Sequence, residues 1–132
     1  MKIVQDKDFF KILKNKKSSL TIEIEDRKKL GYNTHGMNNH GEFLNYMNPH
    51  DNCLWDAIIP GYKKSLKGGT KYKTDSIIGI YYLENGNHKI AIKINENGYD
   101  KNKSRLDLQR YIKNYKKNIP VNGEWIGLSK NI

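Results

Sequence analysis

A chain of 132 residues has the length of one domain with room for a modest core, and only 36% of its residues are apolar. No apolar run approaches the roughly 20 residues that cross a bilayer, and a single cysteine, Cys53, excludes an internal disulfide. The formal charge of +10, from 24 Lys and Arg against 14 Asp and Glu, favours anionic partners such as phosphate groups, nucleotides or nucleic acid.

The N-terminal Met1-Lys-Ile-Val-Gln-Asp6 lacks the apolar stretch of a secretion signal, so the expectation is a cytoplasmic protein with no membrane partner. Asp6 to Lys16 reads as a short amphipathic helix, with Phe9, Phe10, Ile12 and Leu13 clustered against lysines. Leu20-Thr-Ile-Glu-Ile24 alternates with the period of a half-buried strand. From Asp26 to Pro49 the chain is rich in Gly, Asn and His, which predicts loops with at most one short strand.

Trp55 to Ile59 reads as a strand ended by Pro60-Gly61. Tyr72–Leu83 and Lys89–Ile94 predict a hairpin, and Asn85-Gly86 between them favours a type I′ turn, in which both residues take φ > 0. Ser104 to Lys117 predicts a helix, with Ser104 as cap and Asp107 at the capping-box position. Leu108, Tyr111, Ile112 and Tyr115 then share one face. Pro120 ends the helix, and Glu124 to Leu128 adds a last strand. Short strands, one hairpin and helices predict a single α+β domain, a small antiparallel β-barrel with an N-terminal and a C-terminal helix packed on it.

Three segments in this order resemble the soluble inorganic pyrophosphatases. Asp51-Asn-Cys-Leu-Trp-Asp56-Ala-Ile-Ile is similar to that family's Asp-Gly-Asp-Pro-hydrophobic-Asp signature leading into a strand. Ile78-Gly-Ile-Tyr-Tyr-Leu-Glu84-Asn-Gly-Asn-His88-Lys89 resembles the family hairpin, with an acidic residue before the turn and an acidic residue and a lysine after it. Leu108 to Lys116, followed by Trp125, resembles the family's late helix with its Tyr-Lys pair. Upstream, Glu23 matches the early strand glutamate, and Asn39-His40-Gly41 stands where the family has Asn-Tyr-Gly. The interval from Glu23 to Asp51 is shorter than the family's usual hairpin of phosphate-binding residues.

The resemblance implies an OB-like barrel with Mg²⁺ held by Asp51, Asp56, Glu84 and Glu23, and phosphate contacted by Lys89, Tyr115, Lys116, His88 and His40. Such chemistry uses carboxylates because Mg²⁺ prefers hard oxygen ligands and, once bound, supplies an activated water. Each residue also has a plainer reading. Asp51 is a common turn residue, Glu84 to His88 an ordinary hairpin tip, Tyr115 core, and Lys116 a solvated charge. Asp56, between Trp55 and Ala57, is expected on the inner face of a barrel strand, where a charge needs a metal or a lysine.

The chain departs from the family pattern at two positions. Cys53 falls where the middle, base-associated aspartate is expected, and a thiol is a poor Mg²⁺ ligand and a poor substitute for a carboxylate base. His88 replaces another carboxylate. The expectation is therefore a binder that sequesters a phosphorylated small molecule or nucleotide, not an efficient enzyme. The lysine- and asparagine-rich style, common in low-GC bacteria and their phages, extends it to a phage protein trapping a host immune nucleotide signal. The alternatives are a divergent Mg²⁺-dependent pyrophosphatase or nucleotide phosphohydrolase, and a single-stranded nucleic-acid binder using lysines and nine tyrosines. The oligomeric state stays open.

Overall fold

The computed structural model describes residues 1–16, 19–26 and 34–128. The elements in chain order are β1 (Lys2–Ile3), α1 (Asp6–Lys16), β2 (Thr21–Ile24), β3 (His40–Asn48), β4 (Cys53–Ile58), β5 (Lys71–Leu83), β6 (Lys89–Ile94), α2 (Lys101–Asn118) and β7 (Gly123–Gly127). β2 pairs β3 and β5, β3 pairs β4, β4 pairs β6, and β6 pairs β5. That ring closes a five-stranded barrel, so the chain is an α+β domain built on an OB-like barrel. The barrel is not wholly antiparallel, because β4 and β6 run parallel where the ring closes. β1 adds to β3, also in parallel, and β7 adds to β5.

Alternation fixes what faces inward. Ile22 and Ile24, Phe43, Trp55 and Ala57, and Ile90, Ile92 and Ile94 are buried in one interior cluster. Phe9 and Leu13 of α1 enter the same cluster, and Phe9 stacks on Trp55 with ring centroids 4.6 Å apart. The Trp55 indole N–H donates to the Val4 carbonyl at 3.2 Å, which ties the N-terminal segment to the barrel. On the outer face, Leu108, Tyr111 and Tyr115 of α2 cover Ile58, Ile78, Tyr81 and Ala91 in a second cluster. The apolar stripe predicted for the C-terminal helix is the face that docks.

Local details differ from the sequence reading. The 26–49 stretch holds a nine-residue strand, β3, where at most a short one was expected. Its alternation is broken at Asn45, which takes φ 74°, and the β3–β4 register shifts between Glu42 and Met47. A strand whose inward positions include a glycine, Gly41, and whose alternation is reset by a bulge carries little period-2 signal. Residues 27–33 of that stretch lie outside the described residues.

The β5–β6 turn closes one residue early. Gly86 N–H bonds the Leu83 carbonyl at 3.0 Å, which places Glu84 and Asn85 at its centre. Gly86 has φ 88° and Asn85 is not in the left-handed region, so the turn is not type I′. α2 begins at Lys101, with Asp100 as N-cap accepting from the Lys103 N–H at 2.9 Å, so Ser104 lies inside the helix. Asp107 is buried and docks the helix instead of closing a capping box. Its carboxylate accepts from the Gly61 N–H at 2.9 Å and pairs with Lys103 and Arg110. β7 can seat only because residue 79 is glycine, since a Cβ there would lie 2.5 Å from the Trp125 ring.

Candidate functional site

Strand register builds a polar row on the outer face of the barrel. Glu23 of β2 lies opposite Glu42 of β3, Glu42 opposite Asp56 of β4, and Asp56 opposite Lys89 of β6. Glu25 shares the face of Glu23, two residues on, and joins the row past the end of β2. Carboxylate oxygens of Glu25, Glu42 and Asp56 all lie within 4.8 Å of one another, the one such group of metal-ligating side chains among the described residues. Lys89 Nζ donates to Asp56 Oδ2 at 2.7 Å, with the lysine side chain 12% exposed and the aspartate 28%. Like charges directly opposite across strands are destabilising, so the fold carries an electrostatic cost in holding this row.

The row floors a cavity of about 430 Å³. Asp51, Cys53, His35 and His40 also line it, and α2 supplies Tyr111 and Tyr115 as a wall. His35 takes a left-handed backbone, φ 54°, and its ring packs 4.8 Å from Tyr115 and 5.6 Å from Tyr111. The Asn114 side chain donates to the His35 carbonyl at 3.1 Å, fixing that segment to α2. His40 Nε2 lies 3.3 Å from the Thr34 carbonyl.

Protonation is strongly biased here. Burial, then the charges of Glu42 and Asp56, push the Glu25 carboxyl up from 4.5 to about 7, against the opposing pull of Lys89. Burial and Asp56 also raise Glu42, with smaller contributions from Glu23 and Asp51. Burial and then Lys89 lower His35, which keeps its imidazole neutral. The Asp51 charge, then desolvation, raises the Cys53 thiol and disfavours its thiolate. Burial pushes the Tyr115 phenol up, with Tyr81 and Asp56 adding to it.

The residues singled out in the sequence divide. Asp51, Asp56, Lys89, Tyr115 and His40 line the cavity. Asp56 is on the outer face of its strand and not the inner one, since its neighbours Trp55 and Ala57 are the inward pair. Its partner is the lysine. The Asp51 carboxylate also accepts from the Cys53 N–H at 3.0 Å, so its turn role is real as well. Glu23 stands in the row without lining the cavity.

Glu84 and Lys116 are exposed and do not line the cavity. The Glu84 N–H donates to the Asn122 carbonyl, which extends the β5–β7 ladder by one residue. Lys116 is one position beyond Tyr115, and about 100° of helix rotation turns it away. His88 is buried on the opposite side from Lys89. Its Nδ1 accepts from the Leu83 N–H at 2.8 Å, its Nε2 lies 3.3 Å from Asp6, and its ring stacks on Tyr82 at 4.0 Å. Desolvation lowers its pKa despite Asp6.

The sequence reading missed Glu25 and Glu42. Glu25 was recoverable, because it continues the alternation of Thr21 and Glu23 along one face. Glu42 had no such signal before β3 was known. In the comparison with known proteins, the chain matches no family model and no curated protein.

Proposed function

We propose that this cavity is a divalent-cation-dependent phosphate site, and that the protein binds a phosphorylated small molecule or nucleotide there. The observation that carries the reading is the Glu23–Glu42–Asp56–Lys89 row with Glu25 converging on it. Among the described residues the cavity is lined by four carboxylates (Glu25, Glu42, Asp51 and Asp56) and one lysine, Lys89, so the local balance is acidic although the chain as a whole is cationic. A hard cation reverses that balance. The donor set fits Mg²⁺, being all carboxylate oxygen at the convergence point. Glu25, Glu42 and Asp56 would hold the ion, which supplies charge neutralisation for phosphate oxygens. Lys89 and Tyr115 would contact those oxygens directly. The volume falls in the roughly 300–1,000 Å³ range of small-molecule pockets. With the OB-like barrel, this arrangement supports a pyrophosphatase-type pocket.

Hydrolysis is the second reading, and Glu25 favours it. A general base works best with a pKa near the working pH, and Glu25, raised to about 7 in the cation-free protein, would be so placed where Glu42 and Asp56 hold the ion without it. Cys53, raised and protonated, does not suit that role. Nucleic-acid binding has less support, because the carboxylates lining the cavity repel a phosphodiester backbone. The deciding experiment incubates purified protein with pyrophosphate and a nucleotide panel, with Mg²⁺ and with EDTA, measuring bound ligand and released phosphate together. Binding that needs Mg²⁺ supports the first reading, sustained release supports the second, and binding equal in EDTA overturns both.

A further inference from the structure

Lys89 is the only lysine or arginine among the described residues lining the cavity, and its charge is already committed. It engages Asp56 Oδ2 at 2.7 Å, and Asp56 is one of the three converging carboxylates. A cation bound by all three competes with the ammonium for Asp56. While that pair persists, an anion meets Glu25 and Glu42, and among the described lining residues Lys89 alone carries a positive charge to receive it. The opposite wall offers a second polar group. Tyr115 is 5% exposed, lines the cavity, and its hydroxyl makes no hydrogen bond among the described residues.

We infer that Lys89 is a displaceable counter-ion. It neutralises Asp56 in the absence of a divalent cation, and it transfers to a ligand phosphate beside the Tyr115 hydroxyl when a cation takes the carboxylate. This deepens the cation-dependent reading and rests on it. The movement is local, since Lys89 is the first residue of β6 and its flexible stem already reaches the cavity. The consequence is positive coupling between cation and phosphate, of equal size in both directions.

The test titrates Mn²⁺ by electron paramagnetic resonance, alone and with methylenediphosphonate, against wild type, Lys89→Met and Lys89→Arg. Lys89→Met should bind Mn²⁺ alone roughly tenfold tighter, because the competing ammonium is gone, and should lose about tenfold of the diphosphonate enhancement. Lys89→Arg should keep the wild-type Mn²⁺ affinity. Unchanged or weaker Mn²⁺ binding by Lys89→Met, or full retention of the enhancement, overturns the inference while the cation site stands. Failure of wild type to bind Mn²⁺ with or without diphosphonate overturns both. A measurement independent of variants follows the Lys89 ε-methylene resonances of wild type as Mg²⁺ is added. They should shift before any phosphate is present, and resonances that stay fixed refute the displacement.

Discussion

Lys89 and His88 are neighbours in sequence, yet they belong to different parts of the molecule. In an extended segment adjacent side chains point to opposite faces. Lys89 faces the acidic row outside the barrel, half-buried and paired with Asp56. His88 points to the other side, closes a hydrogen bond to the Leu83 backbone and packs against Phe10, Trp55 and Tyr82. Two residues that motif spacing assigns to one site thus divide into a cavity-facing group and a structural one. The pleat decides, and spacing in the sequence does not.

The largest effect is expected from His88→Ala. It removes a buried ring and leaves the Leu83 N–H without its acceptor, so stability to urea should fall by about 3 kcal/mol. Cation affinity of the folded fraction should not change. A loss of cation affinity with stability intact would place His88 in the site after all.

Glu42→Gln should do the reverse. Glu42 lies opposite a carboxylate on both sides, Glu23 and Asp56, so neutralising it should stabilise the cation-free protein by roughly 0.5–1 kcal/mol. The same change should remove cation binding. Destabilisation would mean that the row is not under electrostatic strain.

A smaller effect concerns pH. The folded-state pKa of Glu25 is raised from 4.5 to about 7, so the folded protein holds this proton more tightly than the unfolded chain. Its contribution is fully present below about 4.5 and is lost as pH rises through about 7. The lowered His35 and His88 act in the opposite sense, since their contributions are lost as pH falls through the ordinary histidine range. The difference between wild type and Glu25→Gln isolates the carboxyl. Wild type should lose stability relative to the variant between pH 4.5 and 7, measured without divalent cation. Parallel pH profiles for the two proteins would contradict the raised value.

The elements legible in the sequence are those whose signal is local. α1, the β5–β6 hairpin and the α2 stripe each follow from a periodicity within a dozen or so residues, as does the strand at Trp55. β3 was hidden by its bulge and by Gly41, which stands at an inward position without an apolar side chain. The site was legible only in pieces. Asp56 and Lys89 could be named, but their pairing depends on the parallel β4–β6 register, which no local pattern encodes. The surplus of lysine over carboxylate likewise describes the whole chain and not the described lining of the cavity, where four carboxylates face one lysine.

Calorimetric titration of Mg²⁺ into wild type and Glu42→Gln asks whether the row holds a divalent cation, as proposed. One binding event is expected in wild type, weakening as pH falls below about 7 while Glu25 takes up its proton, and none in the variant. Equal Mg²⁺ binding by the two proteins, or none by either, would contradict it.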